Sequence, residues 1–220
     1  MIVAIDGPAG AGKSTIAKLL ARHLGFLYID TGAMYRALTL RVIEEKIDVN
    51  DTKRLTELAQ NTNIDLKNNA DSGLKVTLDG KDVSAAIREP RITKLVSDVA
   101  KIKEVRQIML KLQRKLGRKG NSVLDGRDIG TIVFPDADKK FYLDASTGER
   151  VRRRHKELNE LGQKVSCEDV HKDIQNRDTI DSTREFAPLK KADDAVYIDT
   201  TNMPIEEVVK ELFSRIQNHG

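Results

Sequence analysis

The segment Ile2-Val3-Ala4-Ile5-Asp6-Gly7-Pro8-Ala9-Gly10-Ala11-Gly12-Lys13-Ser14-Thr15 decides how the chain is read. Four consecutive apolar residues before Asp6 make a short strand buried on both faces. After the glycines, Ile16, Leu19, Leu20 and Leu24 recur at helical spacing until Gly25 stops the helix. Between strand and helix, Gly-x-x-x-x-Gly-Lys-Ser lets the backbone wrap an anion closely. Its N–H groups and the helix N-terminus hold phosphate, Lys13 adds a full positive charge, and Ser14 offers a hydroxyl to Mg²⁺.

Outward from this unit the alternation continues. Short apolar runs at 26–29, 122–124, 140–143 and 196–198 are separated by helical stretches. The pattern predicts an α/β fold, a three-layer P-loop NTPase core around a parallel five-stranded sheet. Those four runs end at Asp30, Asp125, Asp144 and Asp199, where a parallel sheet collects its ligands, so each is a candidate for chemistry or for helix capping. Between a helix at 34–45 and a long helix at 92–116, residues 61–83 change character. Strands at 64–67 and 74–78, a turn-rich link at 68–73 and the Asp79-Gly80 hairpin signal predict an inserted β meander. One domain over 1–220 is expected, with a core at 1–60 and 84–220 and this insert as a small subdomain.

The 220 residues carry a formal charge of only +4, with both signs interspersed, four Tyr, five Phe and no Trp. That balance lacks the concentrated charge and the stacking platforms of a nucleic-acid binder, so no nucleic-acid partner is expected. The single Cys167 excludes an internal disulfide framework and fits a reducing cytoplasm. The first apolar run is too short for a signal-peptide core or a membrane span, and no membrane association is expected. Cys167, His23, His155, His171 and His219 form no nucleophile or ligand pattern.

Arginines then narrow the chemistry. No Asn-Lys-x-Asp guanine signature is present, and the chain is too short for paired motor domains. A kinase of a small anionic acceptor has to offset the repulsion between donor and acceptor phosphates with converging cations. Asp30-Thr31-Gly32-Ala33-Met34-Tyr35-Arg36 and Asp125-Gly126-Arg127-Asp128-Ile129-Gly130 each leave a strand with an Arg beside flexible glycines. Ser146-Thr147-Gly148-Glu149 has capping-box spacing and opens a helix bearing Arg150, Arg152, Arg153, Arg154 and Lys156, the pattern of an Arg-rich lid over ATP at about 146–165. After the N-cap candidate Ser166, a second helix brings Arg177, Asp181 and Arg184 to one face, where Arg177 and Asp181 have the spacing of an ion pair.

Taken together these motifs closely resemble the bacterial cytidylate kinase family over nearly the whole chain. The resemblance rests on 7–15, 30–36, 125–131, 150–154 and 177–189, and the insert is similar to the extra acceptor-domain piece of that family. It implies an ATP-dependent kinase of CMP and dCMP, Mg²⁺ as cofactor and a monomer. Arg36, Arg127 and Arg177 would hold the acceptor phosphate, Ser97, Arg106 and Arg184 would face cytosine, and Asp181 the sugar. Thr31 and Asp128 would lie around the same acceptor, and Thr31 stands where relatives often carry Ser. Lys13, Arg127, Arg177 and Asp128 are the expected catalytic group; Gly7, Pro8, Ala9, Gly10, Ala11, Gly12, Lys13, Ser14, Thr15, Arg150, Arg153 and Arg154 are expected on ATP, with Ser14 on the metal. The alternatives are a kinase of another nucleoside monophosphate or of a small metabolite such as a shikimate-like alcohol, or an ATP-dependent RNA-binding or regulatory protein.

Overall fold

The computed structural model describes residues 1–69 and 73–217. Its strands are β1 (Ile2–Asp6), β2 (Leu27–Asp30), β3 (Ile64–Asn69), β4 (Gly73–Leu78), β5 (Lys81–Asp82), β6 (Ser122–Gly126), β7 (Lys139–Asp144) and β8 (Val196–Asp199). Its helices are α1 (Lys13–Leu24), α2 (Thr31–Glu44), α3 (Thr52–Gln60), α4 (Pro90–Ala100), α5 (Lys103–Gly117), α6 (Thr147–Glu160), α7 (Cys167–Thr183) and α8 (Ile205–Gln217).

Five strands form the expected parallel sheet in the order β2-β6-β1-β7-β8. Successive strand residues point to opposite faces. Val3, Ile5, Tyr28 and Val123 therefore join one core with residues of α1 and α8, while Ala4, Ile29 and Leu124 join another with α2, α4 and α5. Burial on both sides is why these strands read as unbroken apolar runs rather than alternating ones. The central strand β1 feeds the glycine loop into the cleft at the carboxyl ends of the sheet, with β6 and β7 as its neighbours.

The insert is an antiparallel sheet, β3-β4-β5; residues 70–72 of its expected turn lie outside the described residues, as does His219. Ile64, Leu66, Val76 and Leu78 pack into the same core as Leu38 and Leu55. Arg41 fastens it further by donating to the Asn61 carbonyl, Thr62 Oγ1 and Asp79 Oδ2 at 2.8–3.1 Å. Sharing a core with α2 and α3 leaves the insert none of its own.

Two local expectations change. The long helix expected at 92–116 is two helices, broken after Ala100. No Gly or Pro marks the break, and Arg106 Nη1 takes the freed Ala100 carbonyl at 3.1 Å. The capping box at Ser146 is half made: Ser146 Oγ accepts from Glu149 N at 3.3 Å, but the Ser146 N–H goes to Thr201 Oγ1. Glu149 is drawn instead to Arg152 and Arg153, each at 2.7 Å.

Candidate active site

A cavity of about 1010 Å³ opens where β1, β2 and β6 end, under the α6–α7 hairpin. Residues Ala9 to Thr15 line it, whereas Gly7 and Pro8 lie behind. Gly7 has φ +148°, and a Cβ there would stand 1.9 Å from the Leu143 carbonyl oxygen, so β7 passes too close for any side chain. Lys13 Nζ donates to the Pro8 carbonyl at 2.6 Å, curling its ammonium over the loop. Burial pulls that ammonium well below the ordinary lysine range, Arg127 adds repulsion, and Asp125 opposes both.

Asp125 is the acidic partner that the strand-end pattern placed only as one of four candidates. Ser14 Oγ donates to its Oδ2 at 2.7 Å and the Tyr28 hydroxyl to its Oδ1 at 3.0 Å. Burial raises its pKa to about 6, and Asp30, its register partner on β2, adds to the rise. Asp30 itself caps α2, accepting from Ala33 N at 2.6 Å and pairing with Arg36 at 3.1 Å. Asp144 and Asp199 accept from the neighbouring N–H groups of Ala145 and Thr201 and shape turns.

Asp6 ends β1 as the four candidate acids end their strands, but the strand-end pattern does not show which distant loop such an acid holds. Asp6 accepts from Ile129 N and Gly130 N, both at 2.8 Å, and so ties β1 to the π-helical turn Ile129–Val133 that follows Arg127 and Asp128. Burial pushes its carboxyl up to about 7 despite those two bonds.

Beyond the loop the charged residues form a ladder. Arg106 Nη2 donates to Asp128 Oδ2 at 2.7 Å, and Arg184 stands 3.6 Å from the other Asp128 oxygen. Arg184 also pairs with Asp181 at 3.1 Å, and Asp181 with Arg127 at 2.8 Å. Asp181 is thus taken by Arg127 and Arg184, and the expected Arg177–Asp181 ion pair is not formed; among the described residues Arg177 pairs with Asp173, at 3.8 Å. Burial, then Arg127 and Arg154, lower the Arg177 pKa to about 10. Nε of Arg154 and Nε of Arg177 are buried without a hydrogen-bond partner among the described residues. Crowded cations with unmet donors describe a site shaped for an anion.

The remaining expected residues fall around the same cavity with one exception. Thr31 Oγ1 donates to the Asp125 carbonyl at 2.6 Å, and Arg36 and Ser97 line the cavity. Arg106 lies 5.3 Å over the Tyr35 ring. Arg153 donates to Thr200, and Arg154 pairs with Glu157 at 2.9 Å, both within the wall. Arg150, expected on ATP, is not in the wall. Its guanidinium is turned into the protein, onto the carbonyls of Ala145 and Ala9 and the carboxylate of Asp178. None of the described residues of the insert lines the cavity; Arg88, just after it, does.

A family model described as cytidylate kinase matches residues 3–218. The cytidylate kinase of Clostridioides difficile is 53% identical over 216 residues, 98% of each chain. That of Caldanaerobacter subterraneus is 51% identical over 217 residues, 99% of this chain and 95% of its own. Among solved structures, an uncharacterized protein from Eubacterium ventriosum aligns over 100% of this chain and 99% of its own with a TM-score of 0.54 at 13% identity, a likeness of fold. A match running almost end to end, on top of the phosphate loop and its facing arginines, means that this chain belongs to the cytidylate kinase family.

Proposed function

We propose that this chain transfers the γ-phosphate of ATP to CMP, and to dCMP, giving ADP and the corresponding diphosphate. The observation that carries the reading is the convergence of Lys13, Arg127, Arg154 and Arg177 beside the phosphate loop, with buried Nε donors on Arg154 and Arg177 left unpaired among the described residues. Two phosphate-bearing substrates repel each other, and such a cluster is what offsets that repulsion.

In this reading ATP lies along Ala9 to Thr15, with Arg153 and Arg154 above it. CMP lies between α2 and α4, its phosphate on Arg36, Arg127 and Arg177, its base toward Ser97, Arg106 and Arg184, and its sugar toward Asp181. Asp128 and Thr31 hold this wall in place: Asp128 between Arg106 and Arg184, Thr31 on the carbonyl of Asp125. A phosphate monoester has a second pKa of about 6, so at neutral pH the CMP phosphate is already a nucleophilic dianion and no general base is required. Its oxygen bonds to the γ-phosphorus as the bond to the ADP oxygen breaks. Lys13 and the arginines hold the charge that builds on the moving group.

The donor set of Ser14 Oγ and the Asp125 carboxylate, hard oxygens at one edge of the cavity, fits Mg²⁺. There the ion would neutralise phosphate charge. The reading further includes the insert as support for the acceptor wall, residues 146–165 as the lid, and a monomer acting in the cytoplasm. The test is a coupled ADP-release assay with Mg²⁺-ATP against CMP, dCMP, UMP, AMP, dTMP and shikimate. CMP and dCMP are expected to dominate. A different winner would overturn the base-facing roles of Ser97, Arg106 and Arg184.

A further inference from the structure

Ala9, the third residue of the phosphate loop, is held at both ends of its backbone by the lid hairpin. Its N–H donates to Asp178 Oδ1 on α7 at 3.1 Å, and its carbonyl accepts from Arg150 Nη1 on α6 at 3.0 Å. Arg150 and Asp178 are themselves ion-paired through the second Asp178 oxygen, closing a three-membered ring of contacts. Arg150 is only 8% exposed, and its Nε is taken by the Ala145 carbonyl at 3.0 Å. The fit is tight: a Cβ on Gly10 would lie 3.0 Å from both Cβ and the carbonyl oxygen of Arg150.

We infer that Arg150 and Asp178 are positioning residues that set the backbone of the phosphate loop, and that within the 146–165 lid the first turn of α6 is a root fixed to the core, so that only the part beyond Arg150 moves. A pair of opposite charges satisfies both backbone polar groups of one loop residue, so the two peptides flanking Ala9 cannot rotate without breaking a partly buried network. Glu149, just before this anchor, lines the cavity, but the α6 arginines that reach it, Arg152, Arg153 and Arg154, all lie beyond the anchor. Lid movement then has to bend or swing α6 past Arg150. The inference builds on the phosphotransferase reading but not on the choice of acceptor.

The experiment compares Asp178→Asn and Asp178→Leu, side chains with the same branched heavy-atom skeleton that keep one acceptor or none. Steady-state turnover is measured with saturating Mg²⁺-ATP and the acceptor that wins the panel assay, well below the melting temperature. Asp178→Leu is expected to lose at least ~30-fold in kcat and Asp178→Asn clearly less, with KM for the acceptor within about twofold, because loop geometry acts on the transition state. ATP hydrolysis without acceptor is expected to grow as a share of turnover. Should Asp178→Leu fail to fold, Arg150→Lys answers the same question, since one ammonium cannot serve Ala9, Ala145 and Asp178 together; a kcat loss of at least ~10-fold is expected. The double variant Arg150→Lys/Asp178→Asn should fall little further than the worse single one. Wild-type kcat in Asp178→Leu or in Arg150→Lys, equal losses in the two Asp178 variants, or multiplying losses in the double variant would overturn the inference. A different acceptor in the panel would leave these ratios unchanged.

Discussion

Arg127 Nε donates to Asp181 Oδ2 at 2.8 Å while the other Asp181 oxygen accepts from Arg184 at 3.1 Å. One carboxylate therefore orients two arginines that the family resemblance assigns to different parts of the acceptor, its phosphate and its base. Burial works against the Asp181 charge, yet Arg127 and Arg184 hold its pKa below the usual carboxylate range. Asp181→Asn removes the charge and keeps the shape. It is expected to lower kcat/KM for CMP at least ~10-fold, the scale of one charge-assisted hydrogen bond, and to leave KM for ATP within about twofold. Steady-state kinetics with each substrate varied in turn check this; an equal loss on the ATP side would mean that Asp181 does not act through the acceptor.

Lys13→Met and Arg127→Ala each delete a cation beside the moving phosphoryl group, and neither deletion can be replaced by water at the same geometry. Each is expected to cut kcat by at least ~100-fold, with melting temperature little changed. Near-normal turnover in both would remove the charge-stabilisation scheme altogether.

Gly7→Ala tests the fold rather than the chemistry. The added Cβ would sit 1.9 Å from the backbone oxygen of Leu143, at a φ of +148° that side chains avoid. Backbone cannot swing aside as a side chain can, so a loss above ~3 kcal/mol is expected in urea unfolding. Gly25→Ala, at the C-cap of α1 with φ +67° and open space around it, should cost only about 1 kcal/mol. Similar losses at both positions would show that the contact with β7 is not what fixes Gly7.

How much of this was legible follows from where the information lies. The strand, loop and helix from Ile2 to Leu24 could be read because local spacing carries it, and the five-stranded sheet followed from the apolar runs. The break between α4 and α5 was invisible because its compensation is a long side chain, Arg106, reaching back to Ala100. α3 was missed, although Asp51 caps it through Arg54 N at 3.1 Å. Partner choice among charges was the least readable: Arg177 and Asp181 have helical spacing, but Asp181 turns to Arg127, which arrives from the segment just after β6. Arg150 looked like its neighbours on the lid helix, and only three-dimensional contact with Ala9 separates it from Arg153 and Arg154.

The environment of Lys13 makes nucleotide binding a proton-linked event. In the free protein burial and then Arg127 disfavour the ammonium, with Asp125, Asp181 and Asp6 opposing them, so the group loses its proton at lower pH than an ordinary lysine. A bound triphosphate brings several negative charges to Nζ and favours the charged form, raising the pKa again. Above the free-protein pKa, ATP binding must therefore take up a proton, and affinity must weaken as pH rises further. Asp125, raised by burial, shifts oppositely when a cation arrives, but at about pH 8 it is already ionised and contributes no proton. Calorimetric titration of Mg²⁺-ATP at that pH, in buffers of differing ionisation enthalpy, should give a slope corresponding to uptake of a substantial fraction of one proton. In Lys13→Arg, whose guanidinium keeps its charge throughout this range, the slope should vanish even if affinity falls. A zero slope in the wild type would mean that Lys13 is fully charged before ATP arrives, and that the acids around it outweigh burial and Arg127.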